Sequence, residues 1–128
     1  MKILVDTHLL IWATCDSAKL SNAARSALQK GGCEYYFSAA SIWEIAIKRA
    51  RHSDAIPISA ADARKLFVAA GYVELPVGAT QAEDVETLPP IHSDPFDRIL
   101  VAQAKIDGMT LLTHDHLLPP YGDFVKMV

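Results

Sequence analysis

The chain has 128 residues, a length typical of one domain with a core of its own, and we expect a single domain over residues 1–128. Hydrophobic residues make up 51% of the chain and charged residues 21%, a balance that excludes a disordered protein. The formal net charge of −3 argues against a broad nucleic-acid-binding surface but leaves room for a local basic patch.

The first residues and the cysteines bear on where the protein works. The opening "MKILV" is short, contains a lysine and is followed by Asp6, which excludes a signal peptide and a membrane span there. Cys15 and Cys33 lack metal-type spacing and are interpreted as reduced thiols. We therefore expect a cytoplasmic protein that does not associate with a membrane.

In the first half of the chain, short apolar or aromatic runs alternate with longer helical patterns. Ser21 is a predicted N-cap, and "GG" at 31–32 ends the helix that it starts. In chain order the predicted elements are a strand at 2–5, helices at 7–15 and 22–30, a strand at 34–37 and a helix at 38–51.

The second half continues the alternation. Ser59 is a predicted N-cap, and prolines and glycines separate most of the later elements. These elements are a helix at 59–71, a strand at 72–77, a helix at 78–88, a helix at about 95–107, and strands at 110–113 and 124–128.

Strands that alternate with helices imply a parallel sheet covered on both faces. We therefore predict an α/β fold, a three-layer sandwich around a central, mostly parallel sheet of about five strands. Ligands bind such sheets at the carboxyl ends of the strands. Four acids from separate parts of the chain are expected at that edge: Asp6, Glu44, Asp97 and Asp115.

Each of these acids also has a purely structural interpretation. Asp6 could cap the helix that begins at the next residue, and Glu44 could form a capping box with Ser41. Asp97 could stabilise the dipole of its helix from the first turn, and Asp115 could form an Asx-turn.

Taken together, four converging carboxylates would repel one another unless a cation neutralised them. Ligands that are all oxygen select hard ions, Mg²⁺ or Mn²⁺. Such a metal site activates water and stabilises in-line displacement at phosphorus, so the acids point to phosphodiester hydrolysis. In "SDPFD", we expect Asp94 to be the helix cap, because Pro95 follows it, and Asp97 to be the metal ligand.

The segments "ILVDTHLLIW", "SAASIWEIAIK", "HSDPFDRILVAQA" and "LLTHD" occur in the order seen in the PIN domain, and they resemble those of VapC-type ribonuclease toxins. The resemblance implies a PIN-like fold and a metal-dependent endoribonuclease that cuts RNA. It also implies a homodimer held inactive by a cognate antitoxin. It assigns the metal site to Asp6, Glu44, Asp97 and Asp115, with Thr7 and Thr113 as polar residues beside it.

Several neighbouring residues allow two interpretations. Arg98 could steady a carboxylate or a phosphate, or form a surface ion pair, and the basic run "KRARH" at 48–52 could be a solvated helix end or contact phosphates. The histidines flanking the acids are expected to contact RNA phosphate or solvent, since zinc spacing is poor: His8, His114 and His116. Trp12 and Trp43 are interpreted as core or dimer-contact residues rather than base-stacking surfaces.

Three other functions share part of this pattern. A haloacid-dehalogenase-type phosphatase needs a second aspartate two residues after the first, where this chain has His8. A receiver domain needs a phosphoacceptor aspartate after the third strand, where "YVELPV" offers only Glu74. A catalytically inactive PIN fold that binds RNA or a partner is the remaining alternative, although such a module gains nothing from four repelling carboxylates.

Overall fold

A computed structural model describes all 128 residues and contains one five-stranded sheet with helices on both faces. The strands are β1 (Lys2–Val5), β2 (Glu34–Ser38), β3 (Val73–Leu75), β4 (Thr110–Thr113) and β5 (Val125–Met127). The α-helices are α1 (Thr7–Thr14), α2 (Asn22–Leu28), α3 (Ala39–Arg51), α4 (Ala60–Ala69), α5 (Ala79–Asp84) and α6 (Pro95–Asp107). None of these helices combines the length and apolarity needed to cross a bilayer.

The strand order is β3-β2-β1-β4-β5, and every neighbouring pair is parallel. The predicted α/β fold is thus confirmed, with a fully parallel sheet where a mostly parallel one was expected. The central strand β1 pairs with β4 so that Val5 lies beside Leu112. Both strands therefore end at the same edge, and the residues that follow them, Asp6 and Asp115, are brought to one side of the molecule.

The core has two layers because the sheet is apolar on both faces. Along β1, Ile3 and Val5 face the layer formed with α1 to α4, and Leu4 faces the layer formed with α6. Phe37 is fully buried in the first layer and Leu100 almost fully buried in the second. This packing holds the carboxyl ends of β1 and β4 between helices of both layers.

Side chains predicted to cap helices do so. Asp6, Ser21 and Ser59 each accept a hydrogen bond from a backbone N–H in the first turn of the next helix. Asp94 accepts from the Phe96 N–H at 2.8 Å, with Pro95 in the first turn, as expected.

Two sequence predictions on helix ends are corrected. Helix α3 is capped by Ser38, so the proposed capping box between Ser41 and Glu44 is wrong. The predicted helix at 78–88 is shorter: α5 ends at Asp84 and a 3₁₀ turn, Val85–Thr87, follows it before the prolines.

Candidate metal centre

The four predicted acids lie where the sheet topology requires. Asp6 directly follows β1, Asp115 follows β4 by one residue, Asp97 is in the first turn of α6 and Glu44 is in the second turn of α3. Three of them line one cleft of about 370 Å³: Asp6, Asp97 and Asp115. Glu44 does not line the cleft, and its side chain is buried.

Asp6 is held by three donors. One of its oxygens accepts the Leu9 N–H at 2.9 Å, and the other accepts the Thr113 hydroxyl and the His114 N–H. Burial raises the pKa of Asp6 against the lowering effect of these hydrogen bonds. The side chain is therefore both the predicted cap of α1 and a rigid wall of the cleft.

Glu44 is 2% exposed and lies on the side of α3 that faces the core. One of its oxygens pairs with Lys48, one turn further along the helix. The other, Oε1, is buried and has no hydrogen-bond partner. An unsatisfied buried carboxylate oxygen is costly, and a cation or a water molecule bound there would satisfy it.

Asp97 also has a raised pKa. Burial, with the nearby carboxylates Asp94 and Glu44, raises its pKa to about 7, although His92 acts in the opposite direction. Burial is the larger cause of this shift, and repulsion by the neighbouring carboxylates adds to it. A divalent cation placed among them would remove that repulsion.

His92 lies between two of the acids and was not predicted as a site residue. Its Nε2 is 2.8 Å from Asp115 Oδ2 and 3.3 Å from Asp97 Oδ2, and ligand atoms of all three residues lie within 4.8 Å of one another. Its Nδ1 accepts the backbone N–H of Asp94 at 3.1 Å, which places the proton of the neutral ring on Nε2. His92 is therefore oriented to donate to the carboxylates. A histidine that binds a metal normally donates from its other ring nitrogen, whereas the Nδ1 of His92 accepts a hydrogen bond.

Asp115 completes the cleft with two hydrogen bonds of its own. It accepts the Leu117 N–H at 2.9 Å, which is the predicted Asx-turn, and the His92 contact. Burial raises the pKa of Asp115, but the Leu117 and His92 hydrogen bonds outweigh it and the net shift is downward. Asp115 therefore stays ionised at neutral pH.

The donor set fits a hard divalent cation. Asp6, Glu44, Asp97 and Asp115 offer carboxylate oxygens, one of them buried and unpartnered, and oxygen ligands favour Mg²⁺ or Mn²⁺. Zinc sites usually include histidine or cysteine ligands, whereas the Nε2 of His92 carries a proton and faces Asp115 as a donor.

The three supporting residues named from the sequence differ in what they do. Thr113 is fully buried, donates to Asp6 and accepts the Asp115 N–H at 3.0 Å, so it ties two acids together. Thr7 instead donates to Ser41 at 2.8 Å and joins α1 to α3. The place of Thr7 beside the metal stays a prediction.

Arg98 fulfils neither expectation. Its guanidinium donates to the carbonyls of Val85 and Pro89, and to the hydroxyl of Tyr121. It forms no ion pair and contacts no acid of the cleft. Its hydrogen bonds instead hold the loop before α6 in place. The position of Arg98 beside Asp97 in the sequence does not indicate these contacts, because a sequence pattern does not reveal which backbone carbonyls a side chain meets.

Two cations of the basic run 48–52 are also structural. Lys48 pairs with Glu44, and Arg49 donates to the Ile56 carbonyl at 3.3 Å, while Arg51 and His52 are exposed. Glutamate followed by lysine four residues later is the usual helical ion-pair spacing, so that contact could have been found from the sequence.

Neither tryptophan belongs to the buried core. Trp43 is 63% exposed and meets Phe96 edge-on, with ring centroids 5.3 Å apart. Trp12 is partly buried and lines the acid cleft between His8 and His114, at centroid distances of 5.9 and 5.4 Å. Of the two roles expected, only contact with another chain remains for Trp43.

Comparison with known proteins agrees with this geometry. A family model described as the PIN domain matches residues 3–120. The fold is similar to that of VapBC2 from Rickettsia felis bound to a DNA fragment from its promoter (TM-score 0.69, 10% identity), covering 100% of this chain and 98% of that one.

Two further solved structures share the fold. A toxin–antitoxin complex from Klebsiella pneumoniae has a TM-score of 0.67 at 17% identity, covering 98% of this chain and 96% of that one. VapC20 from Mycobacterium tuberculosis, described as a sarcin-ricin-loop-cleaving toxin, has a TM-score of 0.62 at 18% identity, covering 95% and 92%. No curated protein matches the chain significantly in sequence.

Proposed function

Since the chain belongs to the PIN domain family, we propose that it is a metal-dependent endoribonuclease that hydrolyses phosphodiester bonds in RNA. The observation that carries this proposal is the buried, unpartnered Oε1 of Glu44 next to a cleft lined by three further carboxylates. A fold without a cation to bind has no reason to keep a carboxylate oxygen in that position.

In the proposed site Asp6, Glu44 and Asp97 hold the cation, directly or through water, and Asp115 completes the site or positions a second ion. Bound there, Mg²⁺ or Mn²⁺ would supply a water of lowered pKa and neutralise charge at the phosphorus. Thr113 keeps Asp6 in place through its hydroxyl, and the Nε2–H of His92 fixes the orientation of Asp115. These hydrogen bonds set the direction of the carboxylates before any ligand arrives.

We also propose that the protein is the toxin of a toxin–antitoxin pair. The support is similarity in fold to the Rickettsia felis and Klebsiella pneumoniae complexes and to the sarcin-ricin-loop-cleaving toxin. In this proposal the chain forms a homodimer in the cytoplasm and a cognate antitoxin reaches the acid cleft with a basic side chain, since arginine pairs well with carboxylates.

The direct test is cleavage of single-stranded RNA by the purified chain with Mg²⁺ or Mn²⁺, with Ca²⁺, and with excess EDTA. We expect cleavage with the first two ions and little with Ca²⁺, whose looser coordination aligns water poorly. Full activity in EDTA would refute the metal-dependent mechanism. RNA binding without cleavage under any condition would favour the inactive binding module instead.

The toxin assignment has a separate test in cells. Expression of the chain alone should arrest growth, and the Asp6→Asn variant, which keeps an acceptor for the α1 cap, should not. Equal arrest by both proteins at matched expression would refute toxicity through nuclease activity.

A further inference from the structure

A second cavity adjoins the acid cleft. It has a volume of about 540 Å³ and shares two walls with the cleft, His8 and Trp12. Its remaining surface includes Ile56 and Pro57, which follow α3, and the ammonium-bearing side chains of Lys19 and Lys48. We call this cavity the flanking pocket.

We propose that the flanking pocket binds one unpaired base of the RNA strand next to the phosphate at the acid cleft, with Trp12 as the stacking surface. The proposal rests on the proposed nuclease function and adds to it a binding site for the base beside the cut. It assigns Trp12 a role opposite to the one expected from the sequence.

The shape and lining of the pocket fit a flat heterocycle. Its volume is in the range of small-ligand sites, and its walls combine aliphatic carbon with a few polar groups at the rim. His8 and His114 meet the indole of Trp12 at interplanar angles of 51° and 75°. Neither ring is stacked parallel on Trp12, so no aromatic ring of the protein takes the stacking position that a base would use.

The charges around the pocket favour a nucleotide. The chain carries a formal charge of −3, yet two lysines lie at this cavity. Lys48 is engaged with Glu44, whereas Lys19 forms no ion pair and is exposed. Lys19 is therefore available to the phosphate that follows the bound base.

The shared walls favour RNA over a partner protein as the occupant. Adjacent nucleotides of one strand must place a phosphate and the next base in neighbouring sites, and the acid cleft and the flanking pocket share His8 and Trp12 as walls. Single-stranded nucleic acids are bound by this combination of aromatic stacking and a positively charged rim.

The chain contains two tryptophans, which allows a direct optical test. In a Trp43→Phe background Trp12 is the only tryptophan, and Trp43 lies outside both cavities. We expect saturable quenching of its fluorescence by a single-stranded RNA of eight nucleotides in Ca²⁺. An abasic oligonucleotide of equal length and charge should bind at least about fivefold more weakly. The matched Trp12→Phe protein, which retains Trp43, should show no saturable change.

Kinetics supply a second readout. Trp12→Ala should raise KM for RNA at least about fivefold with little change in kcat, because stacking is lost outside the reacting centre. Trp12→Phe should restore KM to near the original value, since phenylalanine also stacks. Lys19→Gln should raise KM. It should also reduce the slope of the logarithm of the binding constant against the logarithm of the salt concentration by less than one.

The outcomes separate the two proposals. Cleavage of RNA by the unaltered chain, with a Trp12 emission that does not respond to RNA and no preference over the abasic strand, would refute the flanking pocket and leave the nuclease intact. A Trp12 response to RNA without cleavage in Mg²⁺ or Mn²⁺ would support the pocket and refute the nuclease. A Trp12 response to a co-purified partner protein alone would refute the base-binding role.

Discussion

The two sides of the acid cleft are built differently. On the strand side, Asp6 and Asp115 follow β1 and β4, and the fold supplies them with backbone and hydroxyl donors. On the helix side, Glu44 and Asp97 project from α3 and α6; one has a buried oxygen without a partner and the other a pKa raised to about 7.

This difference separates acids whose presence the fold itself explains from acids that indicate a bound ligand. The acids on the strand side cap a helix and form a turn, so their presence would be explained without any ligand. On the helix side, Glu44 keeps one buried oxygen unpartnered despite its pairing with Lys48, and burial with nearby carboxylates disfavours the ionised form of Asp97. The helix side is therefore the stronger indication that the cleft binds a cation.

The largest expected effect contrasts one acid from each side. Asp97→Asn and Asp6→Ala should each reduce RNA cleavage by about a hundredfold or more, because both remove a candidate ligand. In EDTA their stabilities should diverge. Asp6→Ala should cost about 2–4 kcal/mol, since it removes a cap and leaves the Thr113 hydroxyl and His114 N–H without an acceptor. Asp97→Asn should be neutral or stabilising.

Thermal melts in EDTA paired with a cleavage assay measure both quantities. Glu44→Gln is the matched control on the helix side and should follow Asp97→Asn, losing activity without a comparable loss of stability. If Asp97→Asn remains active and melts earlier than the unaltered chain, Asp97 is a first-turn structural acid and the proposed site is wrong.

A second, smaller expected effect is a pH dependence of the folding stability, which arises from Asp97 on the helix side. The pKa of Asp97 is about 7 in the folded chain and 3.8 in the reference state, so the native state holds the extra proton between these values. Its contribution to stability is therefore complete below about pH 4 and is lost as the pH rises through about 7. In EDTA, the stability advantage of Asp97→Asn should grow by about 1–2 kcal/mol between pH 5 and pH 7.5.

Urea denaturation of both proteins at the two pH values measures this difference. The same linkage predicts that Mg²⁺ binds more tightly as the pH rises towards 7 and releases a proton on binding, which calorimetry in buffers of different ionisation enthalpy detects. A stability difference that does not change with pH would show that Asp97 is not the titrating acid.

The smallest expected effect concerns Asp94, which belongs to neither side of the cleft in this comparison. Asp94 caps α6 and should be needed for stability rather than for metal binding. Asp94→Ala should cost about 0.5–2 kcal/mol, and Asp94→Ser or Asp94→Asn should be nearly silent because both side chains also cap. A loss of cleavage in the Asn variant at unchanged stability would place Asp94 among the ligands.

Much of the fold could be predicted because its signals are local. Buried strands are short apolar runs, and the caps at Ser21, Ser59 and Asp94 precede their helices in the order that backbone geometry requires. The acids could be placed at one edge since parallel strands end together, and that inference needed only the topology.

The contacts within the site could not be predicted in the same way. His92 reaches Asp115 across 23 residues, and Arg98 binds carbonyls of the preceding loop, which no side-chain pattern reveals. The predicted start of α3 near residue 38 holds, with Ser38 as the cap, whereas Ser41 accepts the Thr7 hydroxyl from another helix instead of capping. Interactions set by tertiary packing were missed, whereas those set by the local backbone were found.

The pairing of β1 with β4 at the centre of the sheet also determines when the acid cleft can form during synthesis. Asp6 emerges from the ribosome early, but the hydroxyl that fixes it belongs to Thr113, 107 residues later, on a strand that pairs directly with β1. A nascent chain that has not yet released β4 lacks Asp115 as well. A partly translated polypeptide that ends before β4 therefore cannot assemble the cleft.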